Sequence, residues 1–211
     1  MVEQGRGEKG IVLVRQAVGA LQEIGIRLGH SQVLGVLGEA CGQVGHSEEG
    51  LRIVGEALAE VTQSGERVSE AELWRLKGEL TLKQSGVGSP ASEVTRRESY
   101  GTGHRAKKVV SCQFSVPNSQ PSTPNPHAEA EAEACFLQAI EIACRQQARS
   151  LELRTVMSLV RLRQFRTTHP APRTALAEAH QMLSEVYHWF TEGFDTKDLK
   201  EAKALLDERC E

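Results

Sequence analysis

The sequence repeats one pattern of small and apolar residues along its length. Each copy has its members at positions i, i+4 and i+7, which lie on one face of an α-helix. The copies begin at residues 10, 50, 132 and 179, so the steps between them are 40, 82 and 47 residues. A fixed period with loop-sized insertions is typical of stacked repeat proteins. The four copies are Gly10, Val14, Ala17; Gly50, Val54, Ala57; Ala132, Phe136, Ala139; and Ala179, Leu183, Val186.

A second pattern precedes two of these copies. Leu34, Leu37 and Gly38 come before the copy at residue 50, and Trp74 and Gly78 come before the copy at residue 132. Antiparallel helices pack with their axes about 8–10 Å apart, and their closest contacts need small side chains. We therefore expect helical hairpins in which glycine and alanine let two helices touch. An ordinary helical bundle without a true repeat is the alternative.

The combined pattern resembles the tetratricopeptide repeat (TPR), whose two helices carry W-x-x-L-G-x-x-Y and A-x-x-x-F-x-x-A. The usual tyrosine is Cys41 in one unit and Thr81 in the next, and Lys77 stands where leucine is usual. The period is also nearer 40 residues than the roughly 34 of that repeat. The resemblance implies an all-α fold, a TPR-like alpha-alpha superhelix that forms a solenoid of helical hairpins.

Capping and turn residues set the helix boundaries. Ser69 and Glu72 have the spacing of a capping box, and Asn125 before Pro126 is typical of an N-cap followed by a first-turn proline. Ser31, Ser47 and either Asp195 or Thr196 are further candidate N-caps. The predicted helices span residues 10–29, 32–44, 48–65, 70–86, 126–146, 151–165, 174–190 and 196–208.

Composition divides the chain into four segments. Residues 85–125 are rich in Ser, Pro, Gly, Asn and Thr, which is typical of a disordered linker, although 109–116 would also suit a short strand. We predict TPR-like helical repeats over 1–84 and 126–191, a low-complexity, disordered insertion over 85–125, and a C-terminal capping helix within 192–211. The aromatic residues expected to close the stack against this helix are Tyr187, Trp189, Phe190 and Phe194.

Charge and hydropathy exclude several classes of protein. The formal net charge is −3, so no overall field favours nucleic acid or an anionic membrane. No apolar run approaches the roughly 18 residues that a membrane span needs, and the polar N-terminus does not resemble a signal peptide. A cytoplasmic protein is the simplest interpretation. The five cysteines include no Cys-x-x-Cys pair, so we expect free, reduced thiols.

No residue pattern indicates catalysis or metal binding. The seven histidines form neither H-E-x-x-H nor a zinc-type cluster, and G-x-S-x-G and G-x-x-x-x-G-K-[ST] motifs are absent. We therefore predict no enzymatic activity, no metal and no cofactor. Five basic residues against two acidic ones give residues 93–108 a local charge of +3, but Tyr100 is the one Phe, Tyr or Trp residue within that range. We expect a solvated linker there rather than a nucleic-acid-binding segment.

The first helix of each hairpin lines the groove of a TPR stack. In the register above, seven polar residues would face this groove, where they would hold a peptide or another domain, including upstream domains of the same polypeptide. An exposed helix face that binds nothing is the alternative. The seven residues are Glu39, Gln43, Arg75, Glu79, Lys83, Arg154 and Arg161.

Four stretches resemble one family of large bacterial signalling proteins. They are HSEEGLRIVGEALAEVTQSGER, EAELWRLKGELTLKQ, AEAEACFLQAIEIACRQQARSLELRTVMSLVRL and VYHWFTEGFDTKDLKEAKALLDE. In that family such a stretch is the C-terminal TPR region, which follows a class III adenylate or guanylate cyclase domain and an ATPase of the AAA or STAND type. Related regions occur in LuxR-type activators. The cyclase and nucleotide-binding motifs lie outside such a segment, so the resemblance implies no catalysis by these residues.

These observations lead to one functional expectation and one alternative. We expect a non-catalytic protein–protein interaction and regulatory scaffold that passes its binding state to a cyclase or ATPase domain. The alternative is the effector or oligomerisation region of a LuxR-type transcriptional activator. Because the chain opens with what resembles the second helix of a hairpin, we also expect it to be a piece of a longer polypeptide.

Overall fold

The computed structural model describes residues 2–23, 29–86, 125–167 and 173–208. Helices and no strands lie within these residues, which confirms the predicted all-α fold. The eight α-helices are α1 (Val2–Glu23), α2 (His30–Gln43), α3 (Ser47–Ser64), α4 (Glu70–Gln84), α5 (Pro126–Gln146), α6 (Arg149–Thr167), α7 (Arg173–Trp189) and α8 (Lys197–Asp207).

The helices pack as successive hairpins. α2 packs on α3, α4 on α5, and α6 on α7, while α3 with α4 and α5 with α6 join each hairpin to the next. α1 packs against α2, and α8 packs against α6 and α7. The helices that begin the hairpins also touch one another, since α2 contacts α4, α4 contacts α6, and α6 contacts α8. We call the layer formed by α2, α4, α6 and α8 the first-helix row.

Three of the four predicted triads lie in the core. Each belongs to the second helix of a hairpin, and all nine residues are buried. Phe136 is the largest fully buried side chain among the described residues. Full burial of such a side chain contributes roughly 1.5–3 kcal/mol, so the triads are a main source of stability. They are Gly50, Val54 and Ala57 on α3; Ala132, Phe136 and Ala139 on α5; and Ala179, Leu183 and Val186 on α7.

The first triad departs from this pattern. On α1, Ile11 and Val18 are buried, Gly10 and Val14 are half-buried, and Ala17 is exposed. Among the described helices α1 packs against α2, and no helix covers its opposite side. The buried face of α1 is therefore rotated away from the predicted triad and toward α2.

Two of the glycines stand at close contacts between paired helices. A methyl group at Gly50 would lie 2.8 Å from the carbonyl oxygen of Gly38, and one at Gly78 would lie 2.6 Å from Cε1 of Phe136. Neither space admits a side chain without displacing a neighbour. Close helix contact therefore explains why glycine occupies these helix interiors, although it costs about 1 kcal/mol relative to alanine.

Several helix ends follow the predicted turn residues. The Asn125 side chain accepts a hydrogen bond from the Ala128 amide at 3.3 Å, and Pro126 is the first residue of α5. Gly65 ends α3 with a φ of 73°, in the left-handed region that favours glycine. These local signals predicted the helix boundaries well, because each acts on backbone groups within a few residues.

The predicted serine caps need correction. Ser69 precedes α4, but its hydroxyl pairs with the hydroxyl of Ser31 at 2.8 Å, and Glu72 binds Arg75, so the capping box does not form. Ser31 lies inside α2 and Ser47 is the first residue of α3, so neither occupies the N-cap position. Ser31 and Ser69 bond to each other between α2 and the start of α4, and Glu72 bonds to a side chain of its own helix, instead of capping the local backbone.

The predicted insertion at 85–125 lies outside the described residues, apart from Ser85, Gly86 and Asn125. The flanking helices α4 and α5 nevertheless pack together as one hairpin. At the C-terminal end, α8 buries Leu199, Ala202 and Leu205. None of the described helices has the length and apolar character needed to cross a membrane.

Candidate functional site

A cleft of about 330 Å³ lies along the first-helix row. Its walls come from α2, from the turn before α4, from α4 itself and from the first turns of α6. A bound segment would therefore contact the first helices of three successive hairpins. The residues that shape its opening are Val36, Glu39, Val68, Glu72, Leu151 and Arg154.

One side of the cleft is apolar and open to solvent. Val36 is 53% exposed and Val68 is 73% exposed, and half-buried Leu151 continues the same surface. Leu73 and Leu76 form the buried floor. Adjacent exposed apolar side chains beside a concave space are typical of sites that bind another molecule.

The two carboxylates that border the cleft differ in their partners. Glu72 accepts hydrogen bonds from Nε and Nη2 of Arg75 at 2.9 and 2.6 Å. Glu39 is half-buried and forms no hydrogen bond or ion pair with the residues that the structure describes. Its charge helps to raise the pKa of Arg75. Glu39 is therefore the acidic group at the cleft that is left for a bound cation.

Arg75, expected from the sequence to face a partner, is buried on α4. Burial acts to lower the pKa of its guanidinium, but the hydrogen bond to Glu72 and the charges of Glu79, Glu72 and Glu39 raise it overall. Its Nη1 donates to Oε1 of Glu79 at 2.5 Å, and the same oxygen accepts from the Ser158 hydroxyl on α6 at 2.9 Å. Arg75 and Glu79 thus join two hairpins.

Two further predicted arginines bind α8. Nε of Arg154 donates to Oδ2 of Asp198 at 2.7 Å, and Nη2 of Arg161 donates to Oε2 of Glu201 at 2.7 Å. The hydrogen bond and charge of Asp198 raise the pKa of Arg154 despite its partial burial. An exposed ion pair contributes only about 0.2–1 kcal/mol, so Arg154 can exchange Asp198 for a ligand carboxylate at small cost.

The last two predicted groove residues lie outside the cleft. Gln43 is exposed at the end of α2, and Lys83 is half-buried near the end of α4, beside Gly42. The structure therefore brings Glu39 and Arg154 together at the cleft and distributes the other five predicted residues along the first-helix row.

The predicted aromatic cluster divides into buried and exposed members. Tyr187 and Phe190 are half-buried against the core, whereas Trp189 and Phe194 are exposed. The Tyr187 and Phe194 ring centroids are 5.8 Å apart, and the Arg149 guanidinium lies 5.8 Å from the Trp189 ring centroid.

Sequence reasoning missed the apolar residues of the cleft. Val36 lies 40 residues before the buried Leu76, so the two occupy the same position of the repeat. The repeat alone therefore predicts a buried Val36, whereas its exposure depends on which helices pack beside it. Val68 is the one apolar residue in the polar turn Gly65–Ser69. An isolated valine in such a turn was the available indication of a surface contact.

The lining of the cleft combines apolar side chains with a few polar and charged ones. The hydroxyls of Ser31 and Ser69 bond to each other, and in the described part of the chain no three His, Cys, Asp or Glu residues converge as metal ligands. The described cysteines, Cys41, Cys135 and Cys144, are free thiols. No family model, curated protein or solved structure matches this chain.

Proposed function

We propose that the chain is a non-catalytic protein–protein interaction scaffold with a TPR-like superhelical arrangement. The support for this architecture is the pairing of helices, in which each second helix buries its triad and the first helices form a continuous row. Stacked hairpins of this kind present long surfaces to partners. The observation that carries the function is the cleft on that row, with its exposed valines and with Glu39, which forms no hydrogen bond or ion pair with another described residue.

The chemistry of the cleft defines the ligand class. Its volume is at the lower end of the roughly 300–1,000 Å³ of small-molecule pockets, so it suits one or two anchoring side chains of a longer segment. An apolar side chain would pack on Val36, Val68 and Leu151, and a neighbouring Lys or Arg would meet Glu39. The proposed ligand is therefore a protein segment with an apolar residue next to a basic one.

Binding at this place would couple the hairpins. A segment that touches Val36 on α2 and Leu151 on α6 bridges two helices that α4 separates. The bound segment would restrain the angle between the two hairpins, because it can keep both contacts only while the hairpins hold one relative orientation. The resemblance to the C-terminal regions of cyclase and ATPase signalling proteins supports a regulatory role. In this role the restraint would change the activity of a signalling domain in the bacterial cytoplasm.

A peptide-display selection on the full chain tests the proposal. Selected peptides should pair an apolar residue with Lys or Arg, and fluorescence polarisation should show about ten-fold weaker binding to Glu39→Lys. Glu141→Lys is the matched control, because Glu141 is an exposed carboxylate on α5 outside the cleft. Failure to select any peptide, or equal binding to both variants, would contradict the proposal.

The absence of catalysis needs its own measurement. The purified chain with ATP and Mg²⁺ should release no phosphate, pyrophosphate or cyclic nucleotide above a heat-denatured control. Turnover that copurifies with the folded chain and survives further purification would overturn the non-catalytic assignment.

A further inference from the structure

α1 and α3 are copies of one repeat element. A shift of 40 residues places GIVLVRQA (10–17) on GLRIVGEA (50–57), with glycine, valine and alanine retained at the triad positions. The equivalent residues therefore allow a direct comparison of which side chains each helix buries.

The two helices differ on one face. Leu13 is 65% exposed, whereas its counterpart Ile53 is 3% exposed. Ala17 is exposed and its counterpart Ala57 is fully buried. An aliphatic residue of this size gains roughly 1.5–3 kcal/mol on burial, so α1 exposes a surface that α3 uses for packing.

In α3 the covering element is the first helix of the same hairpin. α2 packs along α3 so closely that a methyl group at Gly50 would lie 2.8 Å from the carbonyl oxygen of Gly38. At Gly10, the counterpart of Gly50, an added methyl group would meet no heavy atom within 4 Å among the described residues. The space that α2 fills beside α3 is thus open beside α1.

The neighbouring helix α2 leaves the same side open. Val36 on α2 corresponds to Leu76 on α4, and the two are 53% and 2% exposed. Leu76 is covered partly because α2 lies beside α4, with Gly35 at the contact. The open surfaces of α1 and α2 together have the form of the cradle in which α2 itself lies against α3 and α4.

We infer that α1 and α2 form a docking site for one amphipathic helix supplied from outside residues 1–211. The helix is of the kind that begins the first two hairpins here, with two leucines before a glycine, as in Leu73, Leu76 and Gly78. Its glycine lies against Gly10, and its leucines cover Leu13 and Val36. The docked helix would extend the stack by one helix at the α1 end, in the same way that α2 packs on α3 and α4.

End-to-end stacking of identical chains fits the surfaces less well. The opposite edge of the stack is α8, whose exposed residues include Lys200 and Lys203. Those ammonium groups would lose solvation against the apolar side chains of Leu13 and Val36. A second copy is therefore an outcome that the experiment must detect, not the occupant that we infer.

The probe is a fluorescent synthetic peptide with the sequence of residues 69–84, which copies α4. Arg75 with Glu72 and Glu79 at i−3 and i+4 favours its helical form. The full chain should bind it saturably in fluorescence polarisation, and Gly10→Leu should weaken binding about ten-fold or more because the added side chain fills the contact. Gly19→Leu is the matched control, since Gly19 is on the same helix and also has no heavy atom within 4 Å of an added methyl group.

Each outcome decides the inference. Loss of binding in Gly10→Leu with near wild-type binding in Gly19→Leu supports the site, provided that circular dichroism shows equal helix content in both. No binding by a monomeric chain, or equal binding by both variants, overturns it. A dimer in light scattering that dissociates in Gly10→Leu also overturns it, because a second copy then covers the face. Binding of the peptide at the cleft instead would be the same in both variants, because Gly10 and Gly19 lie on α1 and do not line the cleft.

Discussion

Replacing Gly50 with alanine tests the hairpin contact on which the architecture depends. Gly50 faces α2, and the added methyl group would lie 2.8 Å from the Gly38 carbonyl oxygen and 3.1 Å from Cδ2 of Leu80. The leucine end can rotate, but the backbone oxygen cannot move without shifting α2. The substitution should therefore force the two helices apart.

The magnitude follows from two opposing terms. Alanine gains about 0.8–1.0 kcal/mol over glycine inside a helix, whereas overpacking a tight contact costs about 1–3 kcal/mol. We expect Gly50→Ala to lower the free energy of unfolding by roughly 0–2 kcal/mol. Gly55→Ala, five residues along α3, meets nothing within 4 Å and should raise it by about 0.8–1.0 kcal/mol.

Thermal unfolding followed by circular dichroism measures the contrast. A difference of 2 kcal/mol corresponds to about 4–8 °C in Tm for a chain of this size. Both variants have the same composition change on the same helix, so helix propensity cancels between them. If Gly50→Ala is stabilised as much as Gly55→Ala, α2 does not approach α3 as described and the reasoning about the hairpins fails.

Three other changes test separate features. Arg75→Met leaves Glu72 and Glu79 without their buried donor and should cost about 3–5 kcal/mol in urea unfolding, whereas Arg154→Met at an exposed pair should cost about 0.2–1 kcal/mol. Asn125→Ala removes the N-cap of α5 and should lower the unfolding free energy by about 1 kcal/mol, measured by the same method. Burial raises the pKa of the Cys41 and Cys135 thiols above 9.0, so unfolded thiols ionise first and stability falls as pH rises past about 9. Urea titrations at about pH 8 and 10 should show that the unfolding free energy falls more between these two pH values in the wild type than in the Cys41→Ala, Cys135→Ala double variant.

Local patterns in the sequence predicted most of the helices. The i, i+4, i+7 triads on α3, α5 and α7 mark buried faces because the same spacing decides which side of a helix meets its partner. Helix ends at Gly65 and Asn125 were also predictable, since a left-handed residue or a side-chain cap acts on adjacent backbone groups.

Features that depend on distant residues were not predictable in this way. The capping box failed because the Ser69 hydroxyl bonds to Ser31, which is 38 residues away. The triad on α1 has the same spacing as the others, but its exposure depends on whether a helix lies beside it. The pairing of Arg75 was partly visible, since Glu72 and Glu79 stand at i−3 and i+4, whereas its burial and the bond of Glu79 to Ser158 on α6 were not.

The pairing of charges along the first-helix row determines how a ligand is recognised at the cleft. Arg75, Arg154 and Arg161 each bind a carboxylate of the same chain. A ligand carboxylate that binds one of them therefore gains only the free-energy difference between the new ion pair and the one it replaces. That difference is small near the surface. Affinity must then come mainly from covering Val36 and Val68, with Glu39 selecting which basic neighbour is accepted. Binding should consequently depend weakly on salt, because salt screens the one charge contact, at Glu39, while it does not screen the apolar contact.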